Sequence, residues 1–142
     1  MGNVILFTGW YTRELCQDHR DKFFVFGDNT KRFGMGGQAI IRNQPNAIGI
    51  ATKILPAMSK ESFFSDSIPS HMLTVLDDIA AVWQLLDEDK TIVIPVNVGG
   101  KPTLGLERAE LPQRAPLIYD AICRHVAEMD AVYGSGELVK EL

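Results

Sequence analysis

Cysteine is scarce in this chain. The two residues, Cys16 and Cys123, lie far apart and have none of the close spacing a metal site needs. That excludes a disulfide framework and leaves either two free thiols in a reducing compartment, the expected state, or a single bridge. Histidine is nearly as sparse, with His19, His71 and His125 scattered and His125 expected on an apolar helix face. The chain has no His-Glu-x-x-His, Cys-x-x-Cys or Gly-x-Ser-x-Gly motif, so neither a metal nor a cofactor is expected and no ready nucleophile stands out. No apolar run approaches the ~20 residues of a membrane helix, so no membrane partner is expected. Residues 1–10 lack the basic region and cleavage pattern of a signal peptide, which makes the cytoplasm the expected location. Positive charge is also in deficit. A net charge of −4 argues against broad nucleic-acid binding, which depends on neutralising phosphates.

The 142 residues suffice for one α/β domain over 1–133, with 134–142 expected as a polar, loosely held tail. Val4-Ile5-Leu6-Phe7, closed by Gly9, predicts a first strand, and the polar residues 11–22 predict a short helix or a loop. Phe23-Phe24-Val25-Phe26 and residues 47–51 predict further strands, separated by a connection at 37–42 that is either about two helical turns or a tight loop. Residues 56–70 hold Pro56, Pro69 and five serines and predict an irregular excursion. Its Phe63-Phe64 pair either packs down or belongs to a ligand lid. Ser70 is expected to cap a helix over 71–87, where Met72, Val75, Leu76, Ile79, Val82, Trp83 and Leu86 follow helical spacing. The β-branched run at 91–96 predicts a strand buried on both faces, with ladder pairing stopping at Pro95. A last helix is expected over 113–130. This order predicts a three-layer α/β architecture with a mixed or mostly parallel sheet.

Two glycine-rich loops follow strands. The first, Gly34-Met35-Gly36-Gly37-Gln38, comes just after Gly27-Asp28-Asn29 and is flanked by Lys31, Arg32, Arg42 and Lys53. The second runs Gly99-Gly100-Lys101-Pro102-Thr103-Leu104-Gly105. Neither is a Walker A loop, and the Rossmann spacing fails. Glycines after a strand let backbone N–H groups approach an anion. Ligands of such sheets bind beyond the strand carboxyl ends, where both loops are expected. The candidate ligand contacts are Gly27, Gly34, Gly36, Gly37, Gln38, Lys53, Gly99, Gly100, Thr103 and Gly105. Asp28 and Asn29 are the candidates for acid/base chemistry or ribose hydrogen bonds. The bland alternatives are turn capping by Asp28 and Asn29, solvated Lys53 and Gln38, and glycines that satisfy positive φ. The acidic pair Asp77-Asp78 is expected on a solvated helix face.

The blocks Val25-Phe26-Gly27-Asp28-Asn29, Gly36-Gly37-Gln38-Ala39 and Asn46-Ala47-Ile48-Gly49-Ile50-Ala51-Thr52-Lys53, with Ile94-Pro95-Val96 and Gly105-Leu106-Glu107-Arg108-Ala109, resemble a group of small uncharacterised phage and bacterial proteins. A more distant resemblance is to macro domains, which bind ADP-ribose. It implies a macro-like fold, with Asn29, Gly36 and Gly37 beside the distal ribose and Gly99, Gly100, Thr103 and Gly105 around the diphosphate. The resulting expectation is a binder of ADP-ribose or a related nucleotide, with ADP-ribosyl hydrolysis as a further step. Two other classes stand beside it. One is a phage-encoded sponge that only binds a nucleotide signal, which would act in host cytoplasm. The other is a protein-interaction module with structural glycines and Phe63-Phe64 as its contact surface.

Overall fold

The apolar run at residues 91–96 becomes the middle of a sheet. The computed structural model describes all 142 residues. Its strands are β1 (Asn3–Phe7), β2 (Lys22–Asn29), β3 (Ala47–Lys53), β4 (Thr91–Pro95) and β5 (Leu138–Val139). They pair in the order β3-β2-β4-β1-β5, and every pairing is parallel. The helices are α1 (Arg13–Asp18), α2 (Pro69–Asp87), α3 (Leu111–Arg114) and α4 (Pro116–Tyr133), and short 3-10 turns occupy Gly37–Ile41 and Lys60–Ser62.

Alternation along the strands assigns the layers, because successive side chains point to opposite faces. Val25, Ile92 and Ile94 pack with Val75, Ile79, Val82 and Leu86 of α2 and with Ile118, Ile122 and Val126 of α4. Phe24, Phe26 and Val93 point the other way, onto Cys16 of α1, Tyr11 and Ile41. The fold is therefore α/β, a parallel five-stranded sheet covered on both faces. Each fully buried α2 side chain contributes about 1.5–3 kcal/mol of transfer free energy, so packing holds this helix more than propensity does. Register pairing of β4 with β1 ends at Pro95, opposite Phe7, where the last ladder bond runs from the Val96 N–H to the Phe7 carbonyl at 2.9 Å. No helix is long and apolar enough to cross a membrane.

Three local expectations change. Ser70 does not cap α2; Pro69 occupies the first helical position, where its fixed φ suits the helix and its lacking N–H leaves no donor unmet, so Ile68 is the cap residue. The last helix begins later than expected, because Pro116 separates the single turn of α3 from α4 at Ala115. Residues 134–142 do not trail away. Leu138–Val139 adds a strand beside β1, and the Val139 carbonyl accepts the Thr8 N–H at 2.8 Å.

Candidate functional site

Because the strands are parallel, the carboxyl ends of β1 to β4 open on one edge. The chain leaves β2 toward the Gly37–Ile41 turn on the α1 face and leaves β4 through Leu104 and Leu106 toward the α2–α4 face. A crevice opens where neighbouring strands send their connections to opposite sides. Here it is a cleft of about 450 Å³, bordered by both glycine loops, by Thr8–Trp10 after β1, and by Thr52 and Lys53 at the end of β3.

Gly27 joins the two loops. A Cβ there would overlap the Leu104 carbonyl, standing 2.6 Å from its carbon, so only glycine lets the second loop lie against β2. Leu104 itself takes φ 42° and is fully buried, which fixes the loop over the strand end. Just before it, Thr103 donates its backbone N–H to the Pro95 carbonyl, yet its hydroxyl is buried with no partner. It is the sole such side-chain atom in the protein, and an unpaired buried hydroxyl costs about 1–3 kcal/mol. Thr103 lines the cleft, so a ligand oxygen there would meet that need.

The first loop divides by geometry. Gly34, with φ 104°, and Gly37, with φ 56°, hold backbone conformations that other residues rarely adopt. Gly36 differs. Its φ of −77° and ψ of 146° suit any residue, and a Cβ there would find no atom within 4 Å. Nothing in the chain requires glycine at position 36, which borders the cleft. Gln38 and Gly105 also border the cleft.

Asp28 and Asn29 border it too, but their side chains are committed elsewhere. Asp28 Oδ1 accepts the Asn29 N–H at 2.8 Å and meets Arg42 at 2.7 Å, while Oδ2 meets Arg32 at 3.2 Å. The carboxylate lies across Gly49, where a Cβ would come within 2.5 Å of Oδ2. Asn29 donates to the Phe33 carbonyl and accepts from the Lys31 N–H, capping the turn at both ends. With both carboxylate oxygens paired and both ends of the amide bonded, these side chains organise the loop, and the second lone pair of Asp28 Oδ2 and the second N–H of Asn29 are left for other contacts. Asp78, expected on solvated surface, carries the network onward: it pairs with Arg32 at 2.8 Å and accepts the Ala51 N–H at 2.7 Å.

Two cations remain unspent. Neither Lys53 nor Arg108 has an acidic partner within salt-bridge distance, and both line the cleft. Burial, and then the neighbouring Arg108 guanidinium, push the Lys53 ammonium below its ordinary value, with Glu110 opposing. Lys53 also bonds the Ala57 carbonyl and lies 4.7 Å over the Phe63 ring. An anion between the two cations would relieve both the repulsion and the desolvation.

Several expected contacts lie elsewhere. Gly99 and Gly100 do not border the cleft; the Gly99 and Lys101 N–H groups are taken up by Asn97 Oδ1 in a local turn. Phe63 and Phe64 are packed down and offer no exposed surface. His125 accepts a hydrogen bond from Trp83 Nε1 at 3.1 Å on the far side of the helices, as its apolar helix face suggested. No group of three or more His, Cys, Asp or Glu is arranged to hold a metal ion. Arg108 and Trp10 were not singled out by the sequence. The strand-end rule that drew attention to the glycine loops also applies to Thr8-Gly9-Trp10 after β1, and it would have found Trp10.

Fold and cleft together define an α/β protein with a cleft at its strand ends. Residues 6–125 match the model of a family of unknown function, DUF7831, and the chain belongs to that family. No curated protein and no solved structure matches it significantly.

Proposed function

We propose that the cleft binds ADP-ribose or a related nucleotide, in keeping with the resemblance of the glycine loops to those of macro domains. The observation that carries this reading is the unpaired, buried hydroxyl of Thr103, a residue that lines the cleft next to the point where the second glycine loop lies against Gly27 of β2. In this reading the open space at Gly36 admits sugar or phosphate against the backbone. Thr103 and the N–H groups near Gly105 take the diphosphate, and Lys53 and Arg108 neutralise it. A thermal-shift screen of ADP-ribose, NAD, cyclic nucleotides and cyclic ADP-ribose isomers identifies the ligand; a binder at a hundredfold excess over its Kd stabilises the native state by about 2.7 kcal/mol. Thr103→Val then tests the site. It should raise the stability of the free protein by about 1 kcal/mol, by removing an unmet hydroxyl, and weaken ADP-ribose binding in calorimetry. Unchanged affinity would overturn the reading.

The engagement of Asp28 and Asn29 favours binding without turnover, as in a sponge for a nucleotide signal. Mass spectrometry of the ligand after release distinguishes the two forms: intact ligand supports the binder, and cleaved ligand supports the hydrolase.

A further inference from the structure

Trp10 is 70% exposed, the most exposed aromatic side chain in a protein that buries six of its twelve and leaves only Phe33 comparably open. Its backbone is nonetheless firmly held. Gly9, the residue before it, is packed so closely that a Cβ would stand 2.7 Å from the Lys140 carbonyl oxygen and would overlap the Phe7 ring. Tyr11, the residue after it, is buried. Its hydroxyl donates to the Val25 carbonyl at 2.8 Å and reaches that of Val93 at 3.3 Å, and its ring stacks on Phe7 and meets Phe24 edge-on. The backbone of Trp10 is thus held at the cleft border, while the indole has its apolar surface in water and no hydrogen-bond partner from the chain.

Its place along the cleft is equally informative. Lys53 ends β3 and Trp10 follows β1, and β2 and β4 lie between them. Three strand spacings separate these strands, about 14 Å. The unpaired cations stand at one end, the orphaned Thr103 hydroxyl after β4 in the middle, and the exposed indole at the other end. We propose that Trp10 is a stacking platform for the base of the bound nucleotide, which lies across the strand ends with its anionic groups toward Lys53 and Arg108. The inference rests on the nucleotide reading above and adds an orientation and a mode of base recognition. Thr8, the polar side chain beside the platform, already spends its hydroxyl on the Val139 carbonyl, so the base is gripped by its face rather than read at its edge. A platform of this kind tolerates adenine and guanine alike, because every base has a π-face.

The test uses calorimetry with ADP-ribose and with ribose 5-phosphate on the wild type, Trp10→Ala and Trp10→Phe, together with tryptophan fluorescence. Trp10→Ala should weaken ADP-ribose binding roughly tenfold, with Trp10→Phe intermediate, while ribose 5-phosphate affinity stays unchanged. ADP-ribose should quench the emission of the wild type but not of Trp10→Phe, whose one remaining indole, Trp83, is bonded to His125 away from the cleft. Wild-type ADP-ribose affinity in Trp10→Ala, or equal losses for both ligands, would overturn the platform while leaving a nucleotide site in place. Failure of the wild type to bind either ligand would overturn the nucleotide reading and the platform with it.

Discussion

Replacing Gly36 with alanine separates a glycine kept for a ligand from one kept for the fold. The backbone at 36 lies at φ −77° and ψ 146°, within the region any L-residue adopts freely, and the new methyl would meet no protein atom within 4 Å. Alanine therefore adds no strain or overlap, and it narrows the unfolded ensemble. Such substitutions stabilise by about 0.4–1 kcal/mol. For a chain of this length that corresponds to a melting temperature about 1–3 °C higher. The methyl would occupy the space that a sugar or phosphate needs to reach the backbone. ADP-ribose affinity should fall about tenfold or more in Gly36→Ala and be abolished in Gly36→Val. Gly37→Ala is the contrasting variant: its φ of 56° makes any side chain costly, so it should lose stability as well as binding. The assays are calorimetry and differential scanning of the same preparations. A lowered melting temperature in Gly36→Ala would show that the fold needs this glycine. An unaltered ADP-ribose affinity would refute the argument that the cleft brings ligand against position 36.

Gly27→Ala should act through the second loop: its Cβ starts 2.6 Å from the Leu104 carbon, so the loop must retreat by about 1 Å. The expected loss is about 1–3 kcal/mol in denaturant titration, accompanied by weaker ligand binding; a wild-type midpoint would contradict the close approach. Asp28→Asn removes the charge shared by Arg32 and Arg42 and should cost about 2–4 kcal/mol, discounted for the partial exposure of Arg32, whereas Asp78→Asn should cost less because its side chain is nearer solvent. Equal losses in the two variants, measured by thermal unfolding, would disprove the central position of Asp28. At alkaline pH, burial raises the Cys16 thiol from 9.0 to about 11, and burial and then Cys16 raise the Tyr11 phenol well above its ordinary value. The unfolded chain releases these protons first, so the native state holds more of them and stability declines as pH rises from 9 to 11, by about 2 kcal/mol for Cys16. Cys16→Ala should flatten that part of the profile, and an unaltered slope would remove Cys16 as its source.

How far the sequence revealed the protein depended on whether a feature left a periodic signal. The β-branched run of β4 and the helical spacing of α2 declare one buried strand and one amphipathic helix, and the structure has both. The two residues of β5 are too few for any period to register. At Pro69, competition between a good capping residue and a proline was decided by the fixed φ of proline. Within the site, Gly27, Gly34, Gly36, Gly37, Thr103 and Gly105 lie along the cleft because strand polarity alone places the loops that follow the strands. The roles of Asp28 and Asp78 were hidden because Arg32 reaches Asp78 across 46 positions of sequence, a pairing no local pattern encodes. Gly36 and Gly37 look alike as letters; only their dihedral angles and surroundings distinguish the open position from the strained one.

The small strand β5 gives the cleft a fastening with its own dynamics. Val139 holds the turn after β1 through both the Thr8 amide and the Thr8 hydroxyl, a link across 131 positions of sequence. Two residues at a sheet edge, with Leu138 partly in solvent, form the kind of unit that opens long before the core does. Whenever β5 lifts, the Gly9 turn loses its backing from Lys140, and Trp10 is no longer pinned from that side. If the cleft binds as proposed, apparent affinity would scale with the fraction of molecules in which the strand is docked, so a docked fraction of about one half would weaken binding about twofold. Under the proposed binding, the Thr8–Val139 contact would act as a dial on occupancy, and exchange of the Thr8 amide proton would read its setting.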